Sequence, residues 1–203
     1  MDPKLAAIII HDIKNSLGVL EGELRRMSDD VPRVQQAHVT CLALQEKLIA
    51  FLTLYKADSQ GLRAQVEAIS PHDFLDALLR EYTANHRSGL GADIAIDDAG
   101  MPMIAFFDEH LVALALEAAL QNASRFARAR IAVGCVKHPD GGVIFTVRDD
   151  GDGVGAQEEK PSTGLGMDLC NAIATAHSKQ TQQGEARLSN HPGGGALFEL
   201  CLP

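Results

Sequence analysis

No stretch of this sequence is basic enough to suggest a nucleic-acid partner. Lysines and arginines number 18 against 27 acids, for a net charge of −9, and affinity for phosphate backbones rests on clustered cations. Long apolar runs are missing as well. The isoleucine run at 8–10 is followed at once by His11 and Asp12, so it is neither a bilayer span nor the apolar part of a signal peptide. The four cysteines, Cys41, Cys135, Cys170 and Cys201, form no CxxC pair, which fits reduced thiols in the cytoplasm. Internal repeats and low-complexity segments are also lacking. What is there is an acidic chain of 203 residues, 46% apolar. That is enough to bury a sizeable core, as one ordinary domain or as a helical module plus a compact α/β domain.

Residues 1–58 read as two helices. Leu5, Ile9, Ile13, Leu17, Leu20, Leu24 and Met27 form one apolar stripe at helical spacing. "SDDVP" at 28–32 breaks it and supplies a Pro suited to the first turn of the next helix. There Val34, Ala37, Cys41, Leu44, Leu48, Phe51 and Tyr55 alternate in steps of three and four, a heptad seam. A hairpin of two such helices cannot enclose both stripes alone. Two hairpins can, so this segment is expected to form a four-helix bundle in a homodimer.

From residue 59 the texture changes to that of an α/β sandwich, with helices on one face of a mostly antiparallel sheet. "GLRAQVEAI" (61–69), "ADIAIDD" and "MIAFF" read as strands. Ser70, Pro71 and Asp73 open one helix, and Asp108 caps a longer one. "RIAVGCVKHPDGGVIFTVRDD" is a hairpin, "STGLGMDLCNAIATAHS" a helix after a glycine loop, and "EARLSNHPGGGALFELCLP" a closing hairpin. The whole is an α+β protein: a helical hairpin at 1–58, then a sandwich domain at 59–203.

Four places carry polar chemistry. His11 lies two residues from both Ile9 and Ile13, about 200° around the helix, and is held outward while the stripe is buried. Asp12 adjoins it and Asn15 lies one turn on. A solvent-facing imidazole beside a carboxylate can serve as a nucleophile, or can be merely a surface histidine. "VRDDGDGVG" at 147–155 follows a strand, and its glycines let backbone approach a ligand, with Asp149 placed to accept from an amine. As a Ca²⁺ loop it fails, since the twelfth position is Lys160 where a bidentate Glu is needed; a plain acidic turn is the bland alternative. Gly164 and Gly166 precede a helix, where free N–H groups can meet phosphate, or simply start the helix. Asn122, a mediocre helix former in mid-helix, can bind Mg²⁺ near phosphates, with Arg125 supplying charge, or can sit on an exposed polar face. Cys135 with His138, or Cys170 with His177, could hold a metal, but neither has a second ligand pair.

Taken in order, these boxes closely resemble the two-component sensor histidine kinases across essentially the whole chain. "HDIKNSL" looks like the phosphoacceptor box, "QNASRF" the N-box, "DDGDG" and "TGLGM" the two glycine boxes, and "GGGALFELCLP" the last ATPase strand. The resemblance implies that His11 takes the γ-phosphoryl group of ATP, Asp12 acts as its general base, and Asn15 orients water for dephosphorylating a partner. It implies that Asn122 holds Mg²⁺, that Asp149 reads the adenine amine, and that Arg125, Gly151, Gly153, Gly164 and Gly166 belong to the nucleotide pocket. The implied partners are a second copy of the chain and the receiver domain of a response regulator.

Three departures stand out. Ala118 occupies the position one turn before Asn122 that is usually polar. Only ten residues separate Gly153 from Gly164, so any lid over ATP is short. No sensor precedes the hairpin, so the input is expected from a separate sensor or upstream kinase. A kinase-like dimeric histidine phosphotransferase with a degenerate ATP site, relaying phosphate between receivers, is the rival reading. A non-catalytic dimeric scaffold that binds a response regulator is a third.

Overall fold

The structure is a computed structural model that describes Ile13, Asn15 and residues 17–20, 22–24, 32–86, 91–139, 141–155, 165–179 and 182–203. The chain divides into two compact units, Met1–Gly61 and Leu62–Pro203.

In the first unit the described residues between 13 and 24 are helical, and helix α1 runs over Pro32–Gln60. Pro32 opens it, as a residue with no N–H to leave unpaired should. The Cys41 thiol donates to the Leu17 carbonyl at 3.5 Å, which brings the two helical segments together. The expected seam is only partly covered: Cys41 is buried, whereas Leu44 and Phe51 remain 49% and 47% exposed.

In the second unit, β1 (Glu67–Ile69) pairs antiparallel with β3 (Ala105–Phe107). The larger sheet has the order β2-β4-β5-β7-β6, built from Asp93–Asp97, Arg130–Lys137, Val143–Asp149, Ala196–Leu202 and Glu185–Asn190. All its pairs are antiparallel except β2 with β4. Helices α2 (Pro71–Asn85), α3 (Glu109–Phe126) and α4 (Leu165–Ala176) supply the apolar layer. Their starts follow the sequence signals. Ser70 accepts from the Asp73 N–H at 3.4 Å with Pro71 next in line, and Asp108 Oδ1 accepts from the Leu111 N–H at 2.9 Å.

Period-2 alternation decides which face of the sheet is buried. Ile131, Val133 and Cys135 of β4, Val143, Phe145 and Val147 of β5, and Phe198, Leu200 and Leu202 of β7 point into the core. Phe74, Phe107 and Phe145 lock α2, the small sheet and the large sheet together, with ring centroids 4.9–5.9 Å apart and edge-on. Each such ring contributes about 2–3 kcal/mol by burial, and each pair about 1 kcal/mol more.

One expected strand is much shorter than its pattern. Of 61–69, only Glu67–Ile69 is in a ladder. Upstream, the Gln65 N–H donates to Asp108 Oδ2 at 2.7 Å and the Ala64 N–H to the Ala176 carbonyl. Those donors serve the ends of α3 and α4 instead of a neighbouring strand.

Candidate functional site

The alternation that buries Val143, Phe145 and Val147 also delivers Asp149, the last residue of β5, to the core face. Among the described residues it is one of three buried polar or charged side chains, with Asp108 and His177. Burying a carboxylate costs several kcal/mol unless it is hydrogen-bonded. Here Oδ1 accepts from the Gly151 N–H at 2.8 Å and the Ala196 N–H at 3.2 Å. The two donors come from the loop after β5 and from the start of β7, so the acid is clamped between sequence-distant segments.

Glycines make that clamp possible. A Cβ on Gly151 would lie 2.2 Å from the Phe126 carbonyl oxygen at the end of α3. One on Gly195 would lie 1.9 Å from the Asp149 carbonyl oxygen, and Gly195 also has φ +82°, where an L side chain is strained. Gly153 packs beside Asn190, whose Oδ1 accepts from the Val154 N–H at 2.6 Å.

The other acids of the loop are used internally. Asp150 Oδ1 accepts from the N–H groups of Arg128, Ala129 and Arg130 at 2.8, 3.0 and 3.1 Å. The Ala129 and Arg130 bonds lead in holding its carboxyl down at about 2. Asp152 pairs with Arg128. Among the described residues no group of three His, Cys, Asp or Glu side chains could hold a metal ion.

Asn122 is half-buried on α3, beside the buried stripe of Ala115, Leu116, Ala119, Leu120 and Ala123. α3 packs on β5, so the helix that carries the amide covers the strand that carries Asp149. Arg125, one turn nearer the helix C-terminus, is exposed, its guanidinium 5.4 Å from the centroid of the Phe126 ring. Gly166 lies exposed in the first turn of α4. Asn15 is exposed and helical in the first unit. His11, Asp12 and Gly164 lie outside the described residues.

The metal alternatives are not supported. Both ring nitrogens of His177 are engaged: Nε2 accepts from the Asp108 N–H at 3.0 Å, and Nδ1 donates to the Ile173 carbonyl at 2.8 Å. Burial pushes the thiols of Cys135 and Cys170 up to about 12, and the Cys170 thiol donates to the Ala115 carbonyl. Sequence reasoning missed Asp150, Asn190 and Ala196 as parts of the site. The doubled acid at 149–150 was the available signal.

Asp149, framed by glycines beneath an Asn-bearing helix, lies in the part of the chain that a family model matches. Residues 107–203 match the family described as histidine kinase-, DNA gyrase B-, and HSP90-like ATPase. Over nearly all of its length the chain is similar to two-component histidine kinases. It is 25% identical to sensor protein KdpD of Escherichia coli (strain K12), over 98% of this chain and 24% of that protein. To the probable sensor histidine kinase HK of Mycobacterium tuberculosis (strain CDC 1551 / Oshkosh) it is 30% identical, over 75% of this chain and 41% of that one. The chain thus spans less than half the length of these relatives. The fold is similar to that of Acinetobacter baumannii histidine kinase AdeS, with a TM-score of 0.65 at 20% identity over 95% of this chain and 96% of that one. Full-length ShkA in complex with AMPPNP gives 0.66 at 17% identity, over all of this chain and 46% of that one.

Proposed function

We propose that the chain is the kinase core of a two-component pathway, taking the γ-phosphoryl group of ATP onto His11 and passing it to an aspartate of a response regulator. The observation that carries the nucleotide part is the clamp on Asp149. Among the described residues both bonds to its carboxylate fall on Oδ1, which leaves Oδ2 to accept from an exocyclic amine such as that of adenine. Asn122 offers an amide oxygen, a hard ligand suited to Mg²⁺, which usually keeps waters and substrate phosphates for its other positions. When bound, Mg²⁺ neutralises charge on the phosphates. Arg125 adds a cation on the same helix.

His11 attacks through a ring-nitrogen lone pair. The bond from the γ-phosphorus to the bridging oxygen breaks, ADP leaves, and Asp12 takes up the ring proton as general base. Asn15, one turn on, orients water when phosphate is removed from a partner. Leu44 and Phe51, half-exposed within one chain, support pairing of two copies into a four-helix bundle, since α1 leaves part of its apolar seam uncovered. A relay phosphotransferase is the second reading, favoured by Ala118 at the position one turn before Asn122.

Incubation with γ-labelled ATP and Mg²⁺ tests the choice. The kinase reading requires label on the wild-type chain and none on H11A. Wild type that takes no label from ATP but accepts it from a phosphorylated receiver domain establishes the relay instead. Receiver binding without either transfer would leave a scaffold.

A further inference from the structure

We infer that Asp150 is a positioning residue that holds the metal end and the base end of the nucleotide site at a fixed separation, an inference that rests on the nucleotide-binding reading above. Its neighbour Asp149 faces the core, whereas Asp150 turns back toward the connection that leaves α3. There the N–H groups of three consecutive residues, 128–130, converge on one oxygen. Helix α3 ends at Phe126, with the Ala127 N–H closing its last turn onto Ala123, so the donors at 128 and 129 belong to neither the helix nor a strand. A single carboxylate oxygen satisfies all three. The same junction is tightened by the Arg128–Asp152 pair and by Gly151 against the Phe126 carbonyl.

The consequence is geometric. Asn122 lies in the last turns of α3, four residues before its end at Phe126 and six before Arg128, and Asp149 immediately precedes Asp150. The clip therefore joins the element that carries the Mg²⁺ ligand to the element that carries the base reader. A ligand that must touch both ends gains from having them set in advance, because ordering costs are not met at binding. A ligand that uses one end gains less. The carboxylate charge is not itself required, only an oxygen that can accept.

ADP binding by D150A and D150N, measured calorimetrically with Mg²⁺ and again with a chelator, tests this. In D150A the Mg²⁺-ADP affinity is expected to fall about tenfold or more, and the extra affinity conferred by Mg²⁺ to shrink, because the two ends no longer match. D150N, which keeps the acceptor oxygen, should stay within about threefold of wild type. Equal affinity in D150A and wild type overturns the inference. So does a D150N as weak as D150A, or a Mg²⁺ increment left unchanged while only thermal stability drops. Should D150A not fold, amide hydrogen exchange on the wild type decides: protection at residues 128–130 supports the clip, and exchange at the rate of an open loop overturns it. Wild type that binds no nucleotide overturns the nucleotide reading and this inference together, whereas wild-type binding matched by D150A overturns this inference alone.

Discussion

The backbone N–H of Asp108 donates to Nε2 of His177 at 3.0 Å, across 69 positions of sequence. The ring's other nitrogen donates to Ile173, so the imidazole is held neutral, and burial lowers its pKa from the ordinary 6.5. The unfolded chain therefore binds a proton more readily than the folded one. This contribution to stability is complete above about pH 6.5 and is lost as the pH falls through the depressed folded value. The thermal midpoint should drop between pH 7.5 and pH 5.5, and H177Q should flatten that dependence. Asp150 acts in a separate window, its contribution being full above 3.8 and lost only toward about pH 2. A midpoint equally pH-dependent in wild type and H177Q would count against the His177 assignment.

Replacing Asp149 by Asn separates structure from recognition. The two N–H donors at Oδ1 force the new amide to keep its oxygen there, which turns its NH₂ toward the position of Oδ2. A donor then meets the donor of the adenine amine. The expected outcome is a folded protein whose ATP affinity is lower by about 1–3 kcal/mol, roughly five- to 150-fold. Titration with ATP, alongside circular dichroism, reads both halves.

Charge placed on the α1 seam should dissolve the homodimer. L44E/F51E puts two carboxylates where the bundle needs apolar contact, at a cost of about 2 kcal/mol or more per buried charge. Sedimentation velocity at micromolar concentration should show wild-type dimers and monomeric variant. Wild-type monomers under those conditions would refute the bundle.

The thiols should react in a fixed order. Cys135 and Cys170 are buried, with pKa values near 12, and Cys170 Sγ donates to the Ala115 carbonyl. Cys201, on the outer face of β7, is partly accessible. A thiol reagent at pH 8 should label Cys201 in the native protein, and reach Cys135 and Cys170 only with denaturant. Mass mapping of the labelled peptides checks it.

Helix starts were the most legible part of the fold, because a cap is a local event. Ser70 and Asp108 cap within three residues of themselves. The hairpin around 138–142 and the closing β6–β7 pair were equally local. Strand partnership was not: alternation in β2 shows which residues share a face, but nothing in it names β4 as a parallel neighbour. The same limit explains the site. Asp149 and the glycines could be read from their spacing, yet Asp150 finds its donors 20–22 residues upstream. His177, weighed as a metal ligand beside Cys170, is instead saturated by Asp108 and Ile173, and neither pairing leaves a mark in sequence.

The strand at 196–202 is the latest of the sheet in chain order, yet it lies inside it, between β5 and β6. It also supplies the Ala196 N–H to Asp149. During synthesis β5 must therefore wait with one edge unpaired while the next fifty or so residues leave the ribosome. An exposed edge of apolar, β-branched residues invites pairing with other chains. The nascent protein is thus most vulnerable just before the clamp on Asp149 can close, and any shielding by a chaperone would matter most in that interval.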